Sequence, residues 1–92
     1  MNYSTRDLAE AFCRIDKPPA MSKFFTEIFT PAEIDDFVLR WRLMEMLLEG
    51  VPQREIASEL GISLCKITRG SRLLKKKNTV TEKILKDKIG DT

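Results

Sequence analysis

The sequence predicts an all-α fold of six short helices, and three observations carry that expectation. Apolar residues recur at helical spacing along almost the whole chain. Helix-starting and helix-stopping residues punctuate it at short intervals, as at Thr30-Pro31 and at Gly50 with Pro52. No segment shows the strict alternation of a half-buried strand. At 92 residues, 42% hydrophobic and 33% charged, the chain reads as one small globular domain over residues 1–92. A core that thin favours a partner subunit that buries more surface.

Ser4 to Ile15 reads as the first helix, with Ser4 as cap and Asp7 in the first turn, where negative charge is favourable. Leu8, Phe12 and Ile15 share one stripe. Lys17-Pro18-Pro19 ends it, because two prolines cannot continue the hydrogen-bond ladder. Ala20 to Phe29 forms a second helix whose apolar side carries Met21, Phe24, Phe25, Ile28 and Phe29. Core packing accounts for that aromatic load.

Thr30-Pro31-Ala32-Glu33 is a strong helix start. Thr30 caps, Pro31 takes the first helical position and Glu33 completes a capping box. The helix extends to about Glu49 and is apolar over more than one face, through Ile34, Phe37, Val38, Trp41, Leu43, Met44 and Leu47. A helix apolar nearly all round is covered on two sides. In so short a chain the second cover is most economically another subunit, so a homodimer is expected. Arg40 and Arg42 lie within this helix, and spacing alone leaves open whether they snorkel to solvent or bind an anion.

Gln53 to Lys75 follows, QREIASELGISLCKITRGSRLLK. Ile56, Ala57 and Leu60 line one face of a short helix; Gly61 permits a sharp turn; Ile62 is an apolar peg; Ser63 caps a second helix continued by Ile67 and Leu74. Two helices joined by a tight Gly-containing turn make a helix-turn-helix over about residues 53–74, whose second helix can enter a major groove. An ordinary helical hairpin is the alternative. Gly70 stands where a large apolar residue is expected, and it reads either as a close helix–helix approach or as a slot for a flat ligand. Beyond Lys77, Thr79 to Glu82 is another capping box, opening a last helix with Val80, Ile84, Leu85 and Ile89.

Composition narrows the function. There is no histidine, and Cys13 and Cys65 are isolated thiols, so a metal site is not expected and an enzyme is unfavoured. No signal peptide or membrane-length apolar run is evident, which places the expected site of action in the cytoplasm. Net charge is only +2, yet Leu64 to Lys77 holds six cations and no acid (Lys66, Arg69, Arg72 and Lys75 to Lys77). Charge segregated onto one element is the footprint of a polyanion-binding face. It also argues against a protein-interaction adaptor, since protein interfaces deplete lysine.

FTPAE, the Arg40-Trp41-Arg42 helix with LLEG, QREIASELG and ITRGSRLLK together resemble the bacterial tryptophan repressor family, over Phe29 to Lys75. The resemblance implies an intertwined homodimer and a transcriptional repressor that binds operator DNA when L-tryptophan is loaded as corepressor. It implies that the indole lies between Arg40 and Arg69, that Thr30 lines the same pocket, and that Gly70 gives the ring room. A guanidinium can stack on an aromatic face and also grip a carboxylate. For DNA it carries over Gln53 and Arg54 as phosphate anchors, with Leu64, Cys65, Lys66 and Thr68 presented to base edges and Arg69 serving both ligand and operator; Arg72 belongs to the same basic face. Four features depart from the family's pattern. Leu73 replaces a serine that helps hold the ligand's amino group, Glu27 replaces a leucine and can reach an ammonium, Lys66 replaces a small hydroxyl residue, and the loop before Gln53 is one residue shorter. A family relative that is tryptophan-independent, or that senses another small molecule, is the alternative.

Overall fold

The computed structural model describes residues 4–90, with side chains through Lys88. Its described residues form six α-helices: α1 Thr5–Cys13, α2 Pro18–Ile28, α3 Pro31–Leu48, α4 Gln53–Leu60, α5 Leu64–Lys75 and α6 Val80–Gly90. The all-α class and the six elements match the expectation. The chain divides into two compact units, one ending at Asp36 and one beginning at Phe37, so α3 contributes to both.

The first unit is tied together by phenyl rings. Phe12 of α1 meets Phe24 edge-on at 5.7 Å between centroids and Phe25 at 5.6 Å, and Phe25 meets Phe29 at 5.9 Å. These are the tilted and T-shaped geometries that the ring quadrupole favours. No residue of α1 or α2 is fully buried. Three details differ from expectation. Ser4 occupies the cap position of α1, but its side chain makes no capping hydrogen bond. Pro18 and Pro19 do not separate two helices; they are the first two residues of α2, capped by Lys17. Their fixed φ suits a first turn, and the N–H groups they lack would have no intrahelical partner there. Phe29 is the extended residue ending α2 and donates its N–H to Phe25 O at 2.9 Å.

The capping box that launches α3 is present in both directions. Glu33 N–H donates to Thr30 Oγ1 at 3.2 Å, and Thr30 N–H donates to Glu33 Oε1 at 2.9 Å. Hydrogen bonding of the carboxylate by Thr30, first by its backbone N–H and second by its side chain, holds the Glu33 carboxyl below its ordinary pKa.

In the second unit α3 ends in a Schellman turn. Gly50, at φ +86°, donates to Leu47 O at 3.1 Å, and Val51 donates to Met46 O at 3.0 Å. Gly61, at φ +64°, makes the corresponding left-handed turn out of α4 and donates to Ala57 O at 2.9 Å. Both positions need the conformational freedom that glycine has. The core gathers Leu43 and Met46 of α3, Ile56 of α4 and Ile67 of α5, with Val51, Ala57, Leu60 and Ile62 packed on it. Ile56 and Ile67 are 0% exposed. Leu85 of α6 is also fully buried, while Val80 and Ile84 are exposed; the Ile89 side chain lies outside those described. Glu45 of α3 accepts from Lys88 of α6 and lies 3.8 Å from Arg42, which also reaches Glu49 at 3.2 Å. Gly90 is the last residue of α6; Asp91 and Thr92 lie outside the described residues. Phe37 and Val38 of α3, expected to be covered, are 47% and 60% exposed in the single chain.

Candidate functional site

The helix-turn-helix is formed by α4, the turn at Gly61-Ile62-Ser63, and α5. Ser63 Oγ accepts the Lys66 N–H at 3.4 Å, a long but correctly placed N-cap bond. Burial of Ile67 and Gly70 fixes which side of α5 faces the core. The helical period then turns Cys65, Thr68, Arg69 and Arg72 outward, and all four are exposed. Leu64, at the first position of α5, is 52% exposed despite its apolar side chain. Thr68 Oγ1 donates to Leu64 O at 2.9 Å, so its hydroxyl proton is already engaged. Gln53 and Arg54 open α4 and are exposed at its N-terminal end, where backbone N–H groups lack intrahelical partners.

A cavity of about 590 Å³ lies between α3 and α5. Leu43 and Met44 of α3 with Gly70 and Leu73 of α5 form its apolar part; Arg40, Lys66, Arg69, Arg72 and Lys76 supply five cations. No acidic residue lines it, and among the described residues no carboxylate pairs with any of the five. Arg42, two residues from Arg40, is by contrast committed to Glu45 and Glu49. The two arginines of α3 therefore differ in their surroundings: Arg42 is paired with carboxylates and Arg40 lines the cavity. An apolar floor under unpaired guanidinium and ammonium groups suits a flat molecule bearing a negative charge.

Gly70 needs a more exact account than a hole left by a missing side chain. A Cβ built there would stand 3.0 Å from Met44 Sδ and 3.1 Å from Leu47 Cδ1. The space directly over Gly70 is filled, and the open volume lies beside it. Gly70 is therefore a close-approach glycine that also borders the cavity.

Arg40, Arg69, Gly70 and Leu73, singled out through the family resemblance, all line this cavity. Thr30 and Glu27 belong to the first unit. Thr30 Oγ1 is occupied as an acceptor in the capping box, and Glu27 is exposed on α2. Five lining residues escaped the sequence reading as pocket residues: Leu43, Met44, Lys66, Arg72 and Lys76. Helical spacing holds the signal for some of them. Leu43 and Met44 stand three and four residues after Arg40, and Lys66 stands three before Arg69, so each shares a face with a residue already singled out. Cys13 and Cys65 are free and exposed. Among the described residues no cluster of three metal-ligating side chains occurs, and no helix is long and apolar enough to cross a membrane.

The family model described as "Trp repressor protein" matches residues 4–89. The chain belongs to the Trp repressor family. Among curated relatives, a "Trp operon repressor homolog" of Xylella fastidiosa (strain Temecula1) is 38% identical over 72 residues, 77% of this chain and 78% of the relative. Another of that description from Chlamydia caviae is 39% identical over 70 residues, covering 75% of this chain and 69% of the relative. One from Chlamydia trachomatis serovar L2 is 33% identical over 85 residues, covering 87% and 90%. No solved structure matches at comparable significance. As a member of the Trp repressor family the chain is a transcription regulator, and the family is one of regulators, not enzymes.

Proposed function

We propose that this member of the Trp repressor family is a tryptophan-dependent repressor: a cytoplasmic homodimer that binds operator DNA through α4 and α5 when L-tryptophan occupies the cavity beneath α5. The observation that carries this reading is the cavity itself. It lies between Arg40 and Arg69, with an apolar floor and a face formed by the same helix whose outer side bears the basic run. A ligand there contacts α3 and α5 together, so it favours orientations of α5 in which both contacts are made, and DNA affinity rises by that difference. The relatives, described as Trp operon repressor homologs, support the same ligand.

In this reading Arg40 and Arg69 flank the indole, Gly70 and Leu73 border it, and Thr30 and Glu27 are further candidates for its polar end. Gln53 and Arg54 hold phosphates; Leu64, Cys65, Lys66 and Thr68 face bases; Arg69 and Arg72 contribute to both charge and contact. The exposed Phe37 and Val38 on an otherwise core-forming helix support pairing with a second copy.

A gel-shift titration with and without L-tryptophan, at several salt concentrations, tests the proposal. Affinity should fall steeply with salt through counterion release and rise with the amino acid. Equal binding in both lanes removes the corepressor, and calorimetry showing no heat with millimolar L-tryptophan does so independently. One observation favours a second reading, a regulator responding to another planar carboxylate. With Leu73 in the wall and no acid in the lining, none of the side chains lining the cavity is a carboxylate or hydroxyl that could hold an ammonium group.

A further inference from the structure

We propose that the tip of α5 reads thymine through its C5-methyl group, with Leu64 as the principal contact and the methyl of Thr68 beside it. The inference rests on the DNA-binding reading above and names the chemistry by which it discriminates sequence. Leu64 is the first residue of α5 and is 52% exposed, although the core takes Ile67 three residues later. Thr68 follows one helical turn after Leu64 on the same side. Its hydroxyl proton is spent on Leu64 O at 2.9 Å, so the group it retains for donation to a base is none, and its methyl remains. Cys65 adds a third weakly polar surface next to these two. Leu64, Cys65 and the Thr68 methyl together give the tip a largely apolar side-chain surface.

Lys66 is the one cation within this tip and also lines the cavity between α3 and α5, while Arg69 and Arg72 begin one turn further along. That charge selects a polyanion, and duplex DNA is the polyanion whose groove admits the N-terminal end of a helix. On the major-groove edge the thymine methyl is the apolar group available. Leu64 and Thr68 fit it; guanine and adenine edges would leave acceptors facing hydrocarbon.

Binding sites are to be selected with the full chain and L-tryptophan from a random-sequence DNA duplex pool, and each thymine of the selected site then replaced by deoxyuridine. At one or more positions per half-site, loss of the methyl should weaken binding about fourfold, the equivalent of ~0.8 kcal/mol per buried carbon. In Leu64→Ala that ratio should fall toward one, with the salt dependence unchanged because phosphate contacts are retained. Sequence-specific binding that is indifferent to every methyl, or an undiminished ratio in the variant, overturns the inference and leaves DNA binding intact. A pool that yields no enriched sequence overturns both.

Discussion

The two units of this chain solve the same problem, a small helical core, to different degrees. In the second unit α4 and α5 close on α3 so completely that Ile56 and Ile67 retain no exposure. In the first unit α1 and α2 reach no full burial at any position, and rings in pairwise contact do the holding. The difference lies in residue shape and in turn chemistry. Branched aliphatic side chains of α4 and α5 are brought together by a turn that needs only Gly61, Ile62 and Ser63, so little entropy is spent closing it. Phenyl rings on α1 and α2 are large, meet at their edges, and leave Leu8 and Ile28 at 42% and 46% exposure. A unit with its core complete stands by its own contacts. One with its core open gains from any further surface laid against it.

The largest expected effect is at the closed core. Ile67→Ala should cost about 2–5 kcal/mol, the range for deleting a buried aliphatic side chain, and urea denaturation measures it directly. A cost below that for Leu8→Ala would erase the contrast between the units. Next comes Gly70→Leu. Its Cβ alone would press on Met44 and Leu47, so overpacking should destabilise by about 1–3 kcal/mol and close the adjacent cavity to ligand. Thermal melts with and without L-tryptophan read both effects, and a variant still stabilised by the amino acid would place its site elsewhere.

Within the first unit, Phe12→Leu removes the ring that touches both Phe24 and Phe25 and should cost about 1 kcal/mol through the lost aromatic pairs. If a second copy completes this core, the midpoint of unfolding should fall as the protein is diluted. Invariance of the midpoint with concentration would mean that the open unit stands alone. Thr30→Ala, at the start of α3, should cost about 1 kcal/mol as a lost N-cap, seen as reduced helicity on heating.

The smallest effect is a pH dependence at the same cap. The Glu33 carboxyl is held below its ordinary value of 4.5 by the bonds from Thr30. A carboxyl whose folded pKa is lowered contributes in full above its unfolded value, and that contribution is lost as pH falls through the lowered one. Acid titration of the wild type should therefore show a small destabilising component below pH 4.5 that Glu33→Gln lacks; identical acid limbs would refute it.

Much of the architecture was legible because local chemistry settles it. The Thr30–Glu33 box, the Gly50 and Gly61 turns and the Ser63 cap each depend on a few adjacent residues, and each forms where its residues predict. Where two local rules compete, the reading was weaker. Pro18 and Pro19 are helix breakers in the interior and good starters at the N-terminus, and only the observed end of α1 at Cys13 shows which role applies. The site was legible in the same partial way. Arg40 and Arg69 were singled out by the family resemblance and Gly70 by its break in the apolar pattern, whereas Lys66, Arg72 and Lys76 read from sequence only as part of a basic run.

The sequence by itself determined the six helices, the helix-turn-helix and the segregation of positive charge onto α5, because these depend on period, caps and composition. Tertiary structure alone decided what Gly70 does. Whether a missing side chain leaves a void depends on which atoms of another helix arrive there, and Met44 and Leu47 arrive. The same packing decided that Arg42 is taken by carboxylates while Arg40 remains unpaired beside the cavity, since helical spacing relates neighbours along one helix but says nothing of how α5 is laid across α3.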